Sequence, residues 1–287
     1  MRRFTVALWA WWLAFGAIPA AWASDLTPQT INAFDRYVRV SEAKMNAIPA
    51  SKAFLAVDRL EDGPQGEAAA ELRDGKVWIE KRETLDNGEK ISAPGGLIHH
   101  WTATVLIPGV TLAETLALEQ DYNSQAKYFQ PDVVASKTLR RNGDDFEIYL
   151  RFHKQKVVSA VLDTTHRVHY QMLSATRATS WSRTTRIQEV RDAGTAKEQL
   201  EREGHDDGFL WRMNTYWKFE QKDGGTYVEC ESISLTRDIP AGLGWIVGPF
   251  IDSIPKESLT FTLGTTRSVL LSRPFARGAE NQPIFKP

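Results

Sequence analysis

The chain has 287 residues, 35 basic and 36 acidic side chains, and a formal net charge of −1. This even balance argues against a nucleic-acid partner and against attraction to an anionic membrane surface. Because Cys230 is the single cysteine, the chain cannot form an internal disulfide, and its stability must come from an ordinary hydrophobic core.

The first 23 residues have the composition of a secretory signal peptide. Arg2 and Arg3 precede an apolar run over 6–23, and Ala21 and Ala23 provide the small-x-small cleavage pattern. We therefore expect cleavage after Ala23 and a periplasmic or secreted location. An uncleaved membrane anchor is the alternative, because an apolar run of about 18 residues can just span a bilayer.

Residues 24–96 are interpreted as an N-terminal extension, mainly helical, that packs on the main domain. Thr27 and Pro28 form a helix-start signal, after which apolar residues recur at near-helical spacing. A strand is predicted over 77–83, between segments rich in turn residues.

From residue 97 the sequence predicts long strands, interrupted once by helices. After a first strand over 97–107, Thr111 and Glu114 match the capping box, in which each side chain satisfies a backbone donor of the other residue. A short second helix is predicted over 122–129. The remaining strands are predicted over 133–141, 146–152, 157–173, 177–190, 209–219 and 226–237. One period-two stripe is predicted to share a face: Phe209, Trp211, Met213, Thr215, Trp217 and Phe219.

A long apolar helix is predicted from about Gly242 to Leu271, followed by a tail over 272–287. Ser253 is predicted to cap its main part, with Pro255 in the first turn. These elements define an α+β fold, in which a curved antiparallel sheet of six to seven strands wraps around one C-terminal helix.

This order of elements resembles the helix-grip fold of the START-like superfamily, which includes lipid-transfer and polyketide-cyclase-like proteins. The resemblance covers about residues 97–271, and four segments carry it: 98–105, 111–118, 227–234 and 245–259. It implies a hydrophobic cavity between the sheet and the C-terminal helix. It does not imply an activity, because fold alone does not fix function.

The function expected from this resemblance is that of an exported binding protein for a hydrophobic or amphipathic small molecule, such as a lipid, with no cofactor and no metal. Transient membrane contact is left open. The candidate cavity residues are bulky or apolar side chains of the strands and the C-terminal helix, with one arginine for an acidic ligand group: Trp101, Trp181, Arg183, Trp211, Met213, Trp217, Leu259, Leu263 and Thr266.

Two alternatives remain open at this stage. The first is a cyclase- or hydrolase-like enzyme that uses the same cavity, although the chain carries no Gly-x-Ser-x-Gly motif and no evident partner for Cys230. Its candidate titratable residues are His99, His100, Arg183 and Glu229. The second is an envelope interaction protein whose groove is plugged by residues of the extension, namely Phe34, Tyr37 or Trp78.

Overall fold

The computed structural model describes residues 25–48, 53–155, 159–239 and 244–272, with the backbone alone for 244–252. Its helices are α1 Pro28–Ala47, α2 Asp62–Arg73, α3 Leu112–Glu119, α4 Gln125–Tyr128 and α5 Gly244–Ser272. Its strands are β1 Trp78–Lys81, β2 Leu85–Asp86, β3 Glu89–Lys90, β4 Gly96–Pro108, β5 Val133–Asn142, β6 Asp145–Gln155, β7 Ser159–Ser174, β8 Arg177–Arg191, β9 Gln199–Leu200, β10 Arg212–Lys222 and β11 Gly225–Arg237. The predicted signal peptide and most of the predicted C-terminal tail fall outside the described residues.

One antiparallel sheet of nine strands dominates the fold. Its order is β1-β4-β11-β10-β8-β7-β6-β5, with the short β9 paired to β8. The sheet has two strands more than predicted, because β9 was missed and β1 of the extension pairs with β4. The extension and the main domain therefore share a sheet. With α5 packed on this sheet, the predicted α+β helix-grip arrangement is confirmed.

The capping box that was predicted for α3 is present. The hydroxyl of Thr111 accepts a hydrogen bond from the backbone N–H of Glu114 at 3.2 Å. In return, Glu114 Oε2 accepts from the backbone N–H of Thr111 at 2.7 Å. This local exchange fixes the start of the helix that follows β4.

Helix α5 is continuous from Gly244 to Ser272, so the prediction that Ser253 caps its main part is wrong. A proline within a helix lacks a backbone donor. The helix nevertheless runs through Pro255, since tertiary packing can override local preference. Among the helices of the described residues, none combines the length and the apolar character needed to cross a bilayer.

The predicted stripe of β10 is wrong at its N-terminal end. The strand begins at Arg212, so the alternation holds for Met213 to Phe219 but not for Trp211. The Trp211 indole N–H donates to Asp206 Oδ1 at 2.9 Å, and its ring packs with Phe34 on the face of the sheet away from α5. A hydrogen bond in the preceding loop therefore turns this side chain away from the stripe.

Both faces of the central strands are covered. The inner face, toward α5, carries the largest core cluster, which includes Val105, Phe219 and Leu263. The outer face is covered by the extension through two smaller clusters, one around Phe34 and one around Leu55. The strands of this sheet are therefore buried by two different parts of the chain.

Leu263→Ala is expected to lower the free energy of unfolding by about 2–5 kcal/mol, because it leaves a cavity in the core under α5. Leu263 is 0% exposed. Leu271→Ala is the matched control, since Leu271 lies on the same helix and is 43% exposed. Urea unfolding of both variants measures the difference, and equal small losses would contradict the packing described here.

Candidate functional site

The inner face is tightly packed beneath the C-terminal half of α5. Leu263 and Thr266 are 0% exposed, so no water-sized space adjoins them. Arg267 Nε donates to the backbone carbonyl of Leu106 at 3.1 Å, which places this part of the helix along β4. The hollow that was predicted between sheet and helix is therefore filled, over this half of α5, by the protein's own side chains.

Toward the other end of the sheet, the inner face is only half covered. A register row crosses β4, β11, β10 and β8 through Trp101, Ser232, Thr215 and Ser182. On β10, Met213 and Trp217 flank Thr215 on the same face, because successive side chains of a strand alternate. All six side chains are half-buried. We call this set the half-open stretch: Trp101, Ser182, Met213, Thr215, Trp217 and Ser232.

Two contacts show how α5 crosses the sheet. Arg267 lies beside Leu106, near the C-terminal end of β4. Phe261 lies near Lys154, with 5.9 Å between Nζ and the ring centroid, at the C-terminal end of β6. Because β4 and β6 run in opposite directions, that end of β6 lies on the same side of the sheet as the start of β4. The helix therefore crosses the sheet obliquely, between the C-terminal end of β4 and the C-terminal end of β6.

A buried polar group lies between α3 and α5. Glu119 is 7% exposed, and its Oε1 accepts from the hydroxyl of Thr266 at 3.1 Å. Burial raises the pKa of Glu119 to about 7, although the Thr266 hydrogen bond opposes the rise. The hydroxyls of Tyr122 and Tyr170 lie 2.7 Å apart, and burial holds the pKa of Tyr170 well above its usual value. The group is therefore uncharged in mildly acidic solution.

The tyrosine pair borders the half-open stretch. Tyr170 pairs in register with Ser180, and Ser180 pairs with Trp217 on the next strand. Two inner rows further on along β7, His166 Nε2 lies 2.8 Å from the hydroxyl of Thr164. Burial lowers the pKa of His166 to about 4, so this ring is neutral at physiological pH.

A layer of ionic contacts lies on the outer face, under the extension. The sequence analysis did not predict this layer. His100 Nε2 and Glu231 Oε1 lie 2.7 Å apart, and His100 Nδ1 lies 3.0 Å from the hydroxyl of Tyr37 on α1. Burial alone would raise the pKa of Glu231, but the hydrogen bond and charge of His100 lower it below the usual value.

A second buried carboxylate, Glu229, anchors the segment after α1. Its Oε2 accepts from the backbone N–H of Ala56 at 2.5 Å, and its Oε1 pairs with Lys218 Nζ at 3.1 Å. The Glu229 side chain is 1% exposed. Lys218, on the neighbouring strand β10, supplies the counter-charge that a buried carboxylate needs. The hydrogen bond from Ala56 ties the segment after α1 to the outer face.

The structure divides the nine predicted cavity residues between the two faces. Trp101, Met213 and Trp217 belong to the half-open stretch. Leu259, Leu263 and Thr266 lie on α5 in the packed core, where they are 7%, 0% and 0% exposed. Their contact with a ligand stays a prediction. In the structure these three side chains have little or no exposed surface for a ligand to contact.

The three remaining candidates lie on the outer face. Arg183 pairs with Glu42 of α1 at 2.6 Å, and its guanidinium carbon lies 4.9 Å from the ring centroid of Trp181. Trp211 packs with Phe34. These side chains contact the extension or one another, away from α5, because alternation sends odd-numbered residues of β8 outward at this point.

The residues of the two alternatives also fall mainly on the outer face. Among the enzyme candidates, His100, Glu229 and Arg183 face the extension, whereas His99 is on the inner side and lies 3.0 Å from the Thr236 hydroxyl. Phe34, Tyr37 and Trp78 were predicted to fill the groove. They pack instead with the outer-face clusters, so these three side chains do not plug the inner face.

Two cavities lined by described residues lie elsewhere. One of about 410 Å³ is lined by Arg151, His153 and Asp192, among others. A second of about 380 Å³ is lined by residues that include Asp58 and Lys222. No described residue of α5 lines either cavity, so neither is the predicted ligand site.

Solved structures with a similar fold share little sequence with this chain. An aromatase/cyclase from a Streptomyces species is 12% identical, with 63% of this chain and 99% of that chain covered and a TM-score of 0.44. A STAR-related lipid transfer protein from Xanthomonas axonopodis is 16% identical, with 68% and 99% covered and a TM-score of 0.41. Human STARD10 is 9% identical, with 75% and 81% covered and a TM-score of 0.42.

This likeness is weak, and it says nothing about what this chain binds or does. No family model and no curated protein matches the sequence. A functional conclusion therefore depends on the chain's own residues.

Glu119→Gln is expected to remove a pH-dependent loss of stability. In the folded protein the pKa of Glu119 is about 7, whereas the ordinary pKa of a glutamate carboxyl is 4.5. The stability contributed by this group is therefore present below about pH 4.5 and falls as the pH rises to about 7, by about 3 kcal/mol. As the pH rises from about 4.5 to about 7, the free energy of unfolding of Glu119→Gln should therefore increase relative to that of the wild type by about 3 kcal/mol.

Urea unfolding of both proteins at several pH values measures this gain. Burial also raises the pKa of Glu189 to about 7, but that group is present in both proteins and cancels in the difference. Parallel pH profiles of the two proteins would show that Glu119 ionises normally in the folded state.

Proposed function

We propose that this protein binds a hydrophobic or amphipathic small molecule on the inner face of the sheet, at the half-open stretch beside the N-terminal half of α5. The observation that carries this proposal is the half-exposure of Trp101, Met213 and Trp217 next to a fully packed core. Large apolar side chains grouped on a face with a helix leading over it are typical of a ligand surface rather than of ordinary protein exterior.

The energy available from such a surface is sufficient for useful binding. Burying about 300 Å² of apolar ligand surface contributes about 7 kcal/mol at roughly 25 cal/mol per Å². The loss of translational and rotational freedom takes back several kcal/mol, so micromolar affinity is the expected range. The hydroxyls of Thr215, Ser182 and Ser232 lie in the same stretch and suit a ligand with some polar character.

Trp217→Ala is expected to weaken the binding of an environment-sensitive lipid probe by about tenfold or more, because it removes a large apolar contact from the half-open stretch. Trp181→Ala is the matched control. Trp181 is equally half-buried but lies on the outer face of the neighbouring strand, so its loss should change the affinity by less than about twofold.

Fluorescence titration of the two variants and of the wild type, with circular dichroism to verify folding, decides this prediction. If wild-type protein binds neither fatty acids nor neutral lipid probes, the binding proposal fails. If Trp181→Ala weakens binding as much as Trp217→Ala does, the ligand lies on the other face.

We also propose that the protein is exported and matured by cleavage after Ala23. The support is the sequence of residues 1–23, with its paired arginines, apolar run and small residues at the cut. Expression of the full chain in a Gram-negative host, followed by N-terminal sequencing of the periplasmic fraction, should give a mature protein that begins at Ser24. An intact N-terminus recovered with the membrane fraction would instead support an uncleaved anchor.

A further inference from the structure

A chain of hydrogen bonds behind the half-open stretch fixes where His166 carries its ring hydrogen. His166 lies on β7, is 2% exposed, and contacts the hydroxyls of Thr164 and Ser182. The Thr164 hydroxyl lies 3.0 Å from the backbone carbonyl of Leu150. A carbonyl oxygen can only accept, so Thr164 donates its single hydrogen there. Toward His166 Nε2, which is 2.8 Å away, Thr164 Oγ1 therefore accepts.

His166 is accordingly the tautomer that carries its hydrogen on Nε2. Burial lowers the pKa of this ring to about 4, so at physiological pH the imidazole is neutral and has one ring hydrogen. With that hydrogen on Nε2, the other ring nitrogen, Nδ1, acts as an acceptor. Its partner is the hydroxyl of Ser182 at 3.3 Å, which therefore donates to it.

The chain of hydrogen bonds ends at Ser182, in the half-open stretch. This serine of β8 is half-buried, and it pairs in register with Val168 of the inner core and with Thr215 of β10. Because the only hydrogen of its hydroxyl is directed toward His166, Ser182 Oγ offers lone pairs to a molecule on the inner face. A ligand group beside Ser182 must donate to use this oxygen, and an ether, a ketone or a carboxylate has no hydrogen to give.

Thr215, directly opposite Ser182, has the complementary character. Its Oγ1 accepts from the indole N–H of Trp217 at 3.1 Å, and its own hydrogen has no acceptor among the described residues. Residues that lie directly opposite each other on neighbouring strands have Cβ atoms about 4.5–5.5 Å apart. A hydroxyl group placed between the two side chains can therefore donate to Ser182 Oγ and accept from Thr215.

We propose that the half-open stretch selects a ligand with a hydroxyl group, which donates to Ser182 Oγ and accepts from the hydroxyl of Thr215. This inference rests on the proposed binding function and narrows its ligand class to molecules that join an apolar body to an alcohol. The apolar body lies on Met213 and Trp217, which flank Thr215 on β10.

The binding test compares a medium-length primary alcohol with its methyl ether, which accepts a hydrogen bond but cannot donate one. Each compound displaces a fluorescent lipid probe from the wild type and from Ser182→Ala. The ratio of alcohol affinity to ether affinity is expected to be about fivefold higher in the wild type, which corresponds to one hydrogen bond. The affinity for the ether should change by less than about twofold between the two proteins.

Thr185→Ala is the matched control. It removes a hydroxyl from the same strand on the outer face, where Thr185 Oγ1 lies 2.9 Å from Thr165 Oγ1. The ratio of the two affinities should stay at its wild-type value in this variant. Equal ratios in the wild type and in Ser182→Ala would overturn the inference and leave the proposed function intact. If the wild type binds neither the probe nor the two compounds, the proposed function itself fails.

The direction of the hydrogen bonds can be tested without any ligand. NMR of the ring nitrogens distinguishes the two neutral tautomers of a histidine, and the signals of His166 are identified by their absence from His166→Gln. We expect the hydrogen on Nε2. A hydrogen on Nδ1 would make Ser182 accept from His166 and donate toward the ligand, and this result would overturn the inference.

Discussion

Both faces of the central strands must be buried, and this constraint organises the whole chain. Alternation along β4 sends Trp101, Ala103 and Val105 toward α5, and His100 and Thr104 toward the extension. All five are buried or half-buried. An antiparallel sheet with one solvated face is common, but here the described residues 25–96 cover the second face. The helix at the end of the chain and the helices at its start therefore act on opposite sides of the same strands.

The two faces of the sheet differ in chemistry as well as in the part of the chain that covers them. The inner face is apolar with a few neutral polar groups, whereas the outer face holds Glu229, Glu231 and His100 under the extension. A buried charge is tolerated when its partners are fixed, and those partners include Ala56 and Tyr37 of the extension. The segment before residue 97 therefore belongs to the same folded unit, because without it Glu229 would lose the Ala56 N–H and His100, the partner of Glu231, would lose the Tyr37 hydroxyl.

Local signals in the sequence predicted much of this fold. The capping box of α3 depends on residues close in the chain, and it predicted the start of that helix correctly. Alternation predicted the inner positions of Met213 and Trp217. It failed at Trp211, because the indole N–H donates to Asp206 in the preceding loop, and this bond decides where the ring points.

Contacts between distant residues were beyond such reasoning. Glu229 accepts from Ala56, which is 173 residues away, and Glu119 meets Thr266 at a separation of 147 residues. Nothing in the sequence near Glu119 indicates burial, and Glu229 was named only as a candidate titratable residue of the predicted cavity. For the same reason, the resemblance implied a cavity between the sheet and the C-terminal helix without indicating its position, whereas in the structure side chains such as Leu263 fill the space beneath the C-terminal half of α5.

The position of the single thiol has a practical consequence. Cys230 is 1% exposed on the inner face and pairs in register with Trp217, at the border of the half-open stretch. Burial raises the pKa of this thiol well above its usual value, so a soluble alkylating reagent reacts with it only when sheet and helix separate. The rate at which Cys230 is alkylated therefore measures how often the interface between the sheet and α5 opens. This measurement requires no engineered label.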